Sequence, residues 1–312
     1  MKSHKKEIIT VAILMAAAVV IFAGILKPEA TQTKKCSLIY IPKIRDNTND
    51  FWTSVISGCK MAAEEYESDL EILAPDKEEN IEEQNKLLKK AIEQKPDAIL
   101  FSPSSMGASD ELLKEAKEKG IRITYIDSYT KEELQDLTVA TDNVNAGRML
   151  GEYARKLIDS KIAIVSHVKG VSTAVEREQG FREGLGDYAD NIVDIVYCNS
   201  LYEKSYELAQ ELMRKYPDLE LIAGMNEYSA VGVGRAVSDA GAKDKIAVVG
   251  VDCSQEAINL MEMGVYKGII VQKAFRMGYI GVEETIHMLN GDAVEKNIDS
   301  GCELVTPENM YN

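Results

Sequence analysis

Asp127, Asn226, Asp252 and Gln272 share one place in the sequence pattern. Each stands directly behind a short apolar run: Ile121–Ile126, Leu221–Met225, Ile246–Val251 and Gly268–Val271. A fifth run, Leu38–Ile41, leads shortly to Asn49-Asp50-Phe51-Trp52. Apolar runs of this length between segments of helical periodicity read as buried parallel strands. Open parallel sheets bind ligands outside the carboxyl ends of their strands. An ionised Asp accepts hydrogen bonds from neighbouring hydroxyls, an amide both donates and accepts, and an aromatic face packs on C–H edges. Converging at one sheet edge, these groups suit a flat molecule that is apolar on its faces and hydroxylated at its rim. A sugar has that chemistry.

Each of these residues also has an ordinary structural reading. An Asp behind a strand caps the next helix, although Ser254 stands ready to cap in place of Asp252. Asn226 and Gln272 suit loop capping equally well. Phe51 and Trp52 are neighbours, so on a helix they diverge and one of them stacks on a ligand while the other packs the core. Arg177 offers a planar fork of donors to ring and hydroxyl oxygens, or a solvated helix face. Tyr202 either closes the opposite side of a ligand or packs at a helix start.

Other chemistries are set aside. Gly232-Val233-Gly234 lies within a helical pattern and lacks the third glycine of a dinucleotide fingerprint. Asp46-Asn47-Thr48-Asn49-Asp50 resembles a calcium loop, but Phe51 holds the position that requires glycine. His4, His167 and His287 are scattered and suggest no metal cluster. No Gly-x-Ser-x-Gly nucleophile elbow is present. No cofactor and no metal are expected.

A formal net charge of −15 over 312 residues argues against a nucleic-acid partner, which needs a basic footprint. The length suggests two lobes. Lys2, Lys5 and Lys6 precede an uncharged stretch, Ile8–Leu26, close to the ~20 apolar residues that cross a bilayer. Lysines on that side keep the N-terminus in the cytoplasm and export the rest. The stretch is long for a cleaved signal and Pro28-Glu29-Ala30 is a poor cleavage site, so an uncleaved anchor over 1–27 and a linker over 28–35 are expected. Cys36, Cys59, Cys198, Cys253 and Cys302 form no close pairs from which a connectivity can be read.

Behind the linker, strands and helices alternate almost without interruption, which implies right-handed crossovers and parallel sheets. The helices are expected at Phe51–Tyr66, Ile81–Glu93, Ser109–Lys119, Asn145–Ile158, Ala174–Leu185, Tyr202–Tyr216, Tyr228–Ala240, Gln255–Met263 and Met277–Leu289. The strands are too many for one sheet. Two doubly wound sheets with a ligand cleft between them follow.

Taken in order, these segments resemble the type I periplasmic sugar-binding proteins, the ribose/galactose-type substrate-binding components of ABC transporters. The resemblance rests on Asn49-Asp50-Phe51-Trp52 with Gly58 and Ala62-Ala63, Gly120-Ile121 through Asp127, Thr141-Asp142-Asn143, and Glu176-Arg177-Glu178-Gln179-Gly180-Phe181. Tyr202, Asn226-Glu227, Val249-Gly250-Val251-Asp252 and Gln272 complete it, over about nine-tenths of the chain. It implies an α/β fold of two doubly wound parallel-sheet lobes joined by a three-crossing hinge, 36–140 plus 273–299 and 141–272 plus 300–312. It implies ligand-binding roles for Asn49, Phe51, Trp52, Asp127, Ser128, Arg177, Tyr202, Asn226, Asp252 and Gln272. The pentose-binding pattern has Arg after the third-strand Asp, and here Ser128 stands there. That exchange removes donors and frees volume, which points to a hexose or derivative in preference to ribose.

The implied function is an extracytoplasmic receptor, not an enzyme, working as a monomer at the outer face of the membrane. Its partners would be a sugar and either an ABC permease or a membrane sensor kinase. A different class, a glycoside-processing enzyme using Asp127 and Asp252, needs the paired carboxylates that this chain has.

Overall fold

The computed structural model describes residues 35–311. The Ile8–Leu26 stretch, and with it the choice between anchor and cleaved signal, lies outside them. Among the described residues no helix is long and apolar enough to cross a membrane.

The strands in chain order are β1 (Ser37–Ile41), β2 (Asp69–Ile72), β3 (Ala98–Phe101), β4 (Arg122–Ile126), β5 (Leu137–Ala140), β6 (Lys161–Ser166), β7 (Ile192–Tyr197), β8 (Leu219–Gly224), β9 (Ala247–Val251), β10 (Tyr266–Gln272), β11 (Asn297–Asp299) and β12 (Cys302–Val305). Between them lie α1 (Asp50–Glu65), α2 (Ile81–Gln94), α3 (Asp110–Glu118), α4 (Asn143–Ala154), α5 (Ser172–Leu185), α6 (Tyr202–Lys215), α7 (Glu227–Asp239), α8 (Gln255–Glu262) and α9 (Ala274–Leu289).

They form two six-stranded sheets of matching order, β11-β5-β4-β3-β1-β2 and β12-β10-β9-β8-β6-β7. The central strands are apolar on both faces, as helices on both sides require: β3 is buried at all four positions. Edge strand β2 alternates exposed and half-buried residues. The second sheet is not wholly parallel, because β12 runs antiparallel to β10. Ser300 and Gly301 link β11 to β12, and Gly301 sits at φ +87, a conformation glycine adopts without Cβ strain. Strand β11 was not expected from the sequence, since three residues with one apolar side chain carry no pattern.

The chain passes between the sheets at Ala140–Thr141, Gln272–Lys273 and Asp299–Ser300. These segments are tied together where they run side by side. Ser300 N–H donates to the Ala140 carbonyl at 2.8 Å, and Asp142 N–H to Asp299 Oδ1 at 3.1 Å.

Close helix contacts stiffen each half. A Cβ at Gly58 on α1 would lie 2.0 Å from the Phe275 carbonyl oxygen, and one at Gly278 on α9 would lie 2.0 Å from that of Val55. The same reciprocal contact joins α4 and α5 at Gly147, Gly151, Gly180 and Gly184. Helix α4 begins at Asn143, two residues before the expected Asn145, because the Asp142 side chain caps it by accepting from Asn145 N–H at 2.9 Å. It ends at Ala154, short of the expected Ile158.

Candidate functional site

At the carboxyl ends of the strands the two sheets face each other across a buried cavity. One wall comes from the first sheet: Lys43, Asn49, Phe51 and Trp52 follow β1, Glu78 follows β2, and Asp127 follows β4. The other wall has Thr173 and Arg177 on α5, Asn226, Glu227 and Tyr228 behind β8, Asp252 behind β9, and Gln272 at the end of β10. The walls close to leave a free volume of only about 20 Å³ between them.

Asp127 and Asp252 both have left-handed backbone, φ 71 and φ 75. That conformation costs a non-glycine residue energy and is tolerated best by Asn and Asp. Asp252 does not cap the following helix; Ser254 does, accepting from Ala257 N–H at 3.2 Å. The Asp252 carboxylate instead accepts from Gln272 Nε2 at 2.6 Å and from Glu227 N–H at 3.0 Å. Burial pushes the Asp252 pKa up, with the Arg177 charge opposing. Arg177 is itself fixed, donating from Nε to Asn143 Oδ1 and from Nη1 to the Met225 carbonyl, each at 2.8 Å.

Asn49 and Asn226 each perform a second task. Asn49 caps α1 by accepting from Trp52 N–H at 2.9 Å, and Asn226 caps α7 in a reciprocal box with Ser229. Capping uses the Oδ1 atoms and orients the amide nitrogens. Asn49 Nδ2 has no partner, nor does Gln272 Oε1, and both residues are buried. Phe51 and Trp52 do not diverge as expected: both line the cavity, ring edge to ring face, with centroids 5.0 Å apart. Trp52 is oriented by its indole N–H, which donates to Glu78 Oε1 at 2.6 Å.

Two expected residues are elsewhere. Ser128 is fully buried off the cavity wall, where its hydroxyl donates to the Pro103 carbonyl at 3.0 Å. Tyr202 lies beside the cavity without lining it, its hydroxyl donating to Glu227 Oε1 at 2.7 Å and its ring 4.7 Å from that of Tyr228. Tyr228 takes the wall position expected of Tyr202.

Three charged residues were missed. Lys43 donates to Asp127 Oδ2 at 2.7 Å, with both side chains 4% exposed, and its ammonium lies 5.8 Å from the Trp52 ring centroid. The cation missing at position 128 is therefore supplied from another loop. Ser128 gives its hydroxyl to the Pro103 carbonyl, while Lys43 sets a cation beside Asp127. Lys43 stands two residues behind the Leu38–Ile41 run, the same signal that marked the other site residues. Glu78 also accepts from Ser200 Oγ, and burial raises its pKa. Glu227 accepts from Asp50 N–H at 3.1 Å and Phe51 N–H at 3.0 Å, capping the N-terminus of α1 from the opposite wall. Burial pushes its pKa up to about 7.

The walls also meet directly. Tyr228 donates to Asp46 Oδ2 at 2.8 Å, and Gln255 N–H to Asp50 Oδ2 at 3.2 Å. Among the described residues no cluster of His, Cys, Asp and Glu could hold a metal. Cys59 and Cys198 are buried thiols, and neither they nor Cys253 and Cys302 form a disulfide.

A cavity between two matched α/β sheets, with a carboxylate from each and a chain that crosses between them, defines a two-lobed binding protein. The chain belongs to the periplasmic binding protein domain family, whose model matches residues 40–293. It is similar to a crystal structure of a sugar transporter from Clostridium phytofermentans, with 41% identity and a TM-score of 0.83 over 87% of this chain and 99% of that one. It is also similar to a carbohydrate transporter solute-binding protein from Agrobacterium radiobacter in complex with D-arabinose. There the identity is 25% and the TM-score 0.84, over 90% of this chain and 97% of that one. A third relative, the D-ribose/D-allose-binding protein of Pseudomonas aeruginosa, is 25% identical over 272 residues, 83% of this chain and 85% of that protein.

Proposed function

We propose that this protein is an extracytoplasmic solute-binding protein that closes on a monosaccharide-sized polyol and presents it to an ABC importer. One observation carries the reading. An unpartnered donor from one wall, Asn49 Nδ2, and an unpartnered acceptor from the other, Gln272 Oε1, belong to buried residues lining the same cavity. Buried polar atoms are almost always hydrogen-bonded, so this pair calls for a hydroxylated ligand that bridges the walls. Two relatives whose names include ribose, allose or arabinose support the chemical class.

The two lobes in this reading are 36–140 plus 273–299 and 141–272 plus 300–312, and they move about the three crossings. A ligand held by both lobes binds the closed form preferentially and shifts the population toward it. Asp127 and Asp252 act as binding groups, and no chemistry is done on the ligand. Ile8–Leu26 holds the receptor at the outer face of the membrane.

A thermal-shift screen across pentoses, hexoses and inositols tests the reading. Binding only the native state adds RT ln(1 + [L]/Kd) to stability, so at least one sugar raises the Tm and contracts the scattering profile. A screen in which no sugar does either overturns it. Release of the protein from membranes by detergent but not by high salt tests the anchor, and a mature soluble form beginning near Ala30 overturns it.

A further inference from the structure

Six charged side chains line the cavity, and every one is at least nine-tenths buried: Lys43, Arg177, Glu78, Asp127, Glu227 and Asp252. Four are carboxylates and two are cations. Lys43 is matched to Asp127 at 2.7 Å. Arg177 acts on Asp252 through its charge. Glu78 and Glu227 keep only uncharged donors: the Trp52 indole and the Ser200 hydroxyl for one, the Tyr202 hydroxyl and two backbone N–H groups for the other. The N-terminus of α1 offers Glu227 about half a charge. Glu78 feels the Lys43 charge, but Asp127 already shares that cation. A buried charge without a counter-charge of its own is strongly disfavoured, and four carboxylates sharing two cations leave the closed cavity with an acidic surplus.

The unpartnered atoms fit a ligand that answers it. Gln272 Oε1 is an acceptor, and its amide partner Nε2 is spent on the Asp252 carboxylate at 2.6 Å. An ammonium group placed there gains that acceptor beside a carboxylate. Asn49 Nδ2 is a donor and takes a hydroxyl or ring oxygen. We propose, building on the receptor reading above, that the preferred ligand is an amino sugar, a monosaccharide-sized polyol bearing a protonated amine, in place of its uncharged parent. The raised pKa values of Glu78, Glu227 and Asp252, each led by burial, agree with a cavity short of positive charge.

The test is calorimetric titration of the full chain at neutral pH with D-glucosamine, D-galactosamine and D-mannosamine, each beside its parent hexose and its N-acetyl derivative. A hydrogen bond to a charged group has an affinity effect of about tenfold or more. One amine is expected to bind at least about tenfold more tightly than both of its uncharged counterparts. Glu78→Gln, shown to be folded by its melting curve, is expected to shrink the ratio of amine affinity to parent-hexose affinity. A parent hexose that binds as tightly as the amine overturns the inference while leaving the receptor reading intact. An advantage undiminished in Glu78→Gln overturns the surplus charge as its cause. Silence from every amine and every neutral sugar overturns both readings together.

Discussion

Asp127 and Asp252 are counterparts. Each follows the third strand of a six-strand order, β4 in one sheet and β9 in the other. Each backbone N–H bonds the next strand over, Asp127 to the Val139 carbonyl at 3.0 Å and Asp252 to that of Ile270 at 2.8 Å. Each has positive φ. The cavity thus receives one carboxylate from each half at equivalent points of a repeated topology, and both are held in a conformation that costs about 1–3 kcal/mol in most non-glycine residues.

Asp252→Ala is expected to remove most of the thermal shift produced by a ligand, since a hydrogen bond to a charged group is worth about 1.5–3 kcal/mol. The unliganded Tm changes little, because the strain added at φ 75 is offset by losing a desolvated charge. Asp252→Asn tolerates the same backbone and isolates the effect of the charge. A full ligand shift in either variant, read by melting curves with and without sugar, removes Asp252 from the binding set.

Lys43→Met leaves Asp127 buried without its cation. Removing one partner of a buried pair costs about 3–5 kcal/mol. Opening the lobes lets Asp127 hydrate, so the loss falls on closure more than on folding. Sugar affinity is expected to drop by about tenfold or more, and a second change, Asp127→Asn, recovers part of it. Titration calorimetry on the single and double variants reads both effects.

Glu227 makes binding of an uncharged sugar pH-dependent. Its pKa rises to about 7 in the closed form, against ~4.3 when exposed to water. Closure therefore takes up a proton. Its favourable contribution is complete below ~4.3, is lost as pH rises through about 7, and is constant above. The dissociation constant should grow between pH 5 and pH 7.5. Glu227→Gln should flatten the curve on the acid side of about 7, down to ~4.3; a curve unchanged by that variant refutes the assignment.

Gly58→Ala is expected to destabilise the fold by about 1–3 kcal/mol, the usual cost of overpacking, because its Cβ would meet backbone at 2.0 Å. Glycine-to-alanine changes at open helix positions do the opposite. Urea unfolding of the variant settles which rule holds here.

The apolar runs made the buried strands legible along the chain, whereas their order within each sheet was not, nor was β11 with its single apolar side chain. Asp252 was legible because Ser254 already stood as the competing cap. Glu227 and Glu78 were not, because their roles depend on partners far along the chain: Glu227 on the N-terminus of α1, Glu78 on Trp52 and Ser200. Ser128 misled for the same reason. The cation beside Asp127 comes from a residue 84 positions away, a distance over which no local pattern reports.

The direct bonds between the walls, Tyr228 to Asp46 and Glu227 to the start of α1, hold the lobes together without a ligand and are expected to lower the concentration at which a ligand is bound. Apparent affinity is the intrinsic affinity scaled by the fraction of molecules already competent to bind. Each wall-to-wall bond raises that fraction before any sugar arrives. Asp46, off the cavity wall, is therefore a tuning position. Weakening its bond to Tyr228 is expected to move the response threshold to higher sugar concentration and to leave the ranking of sugars as it was.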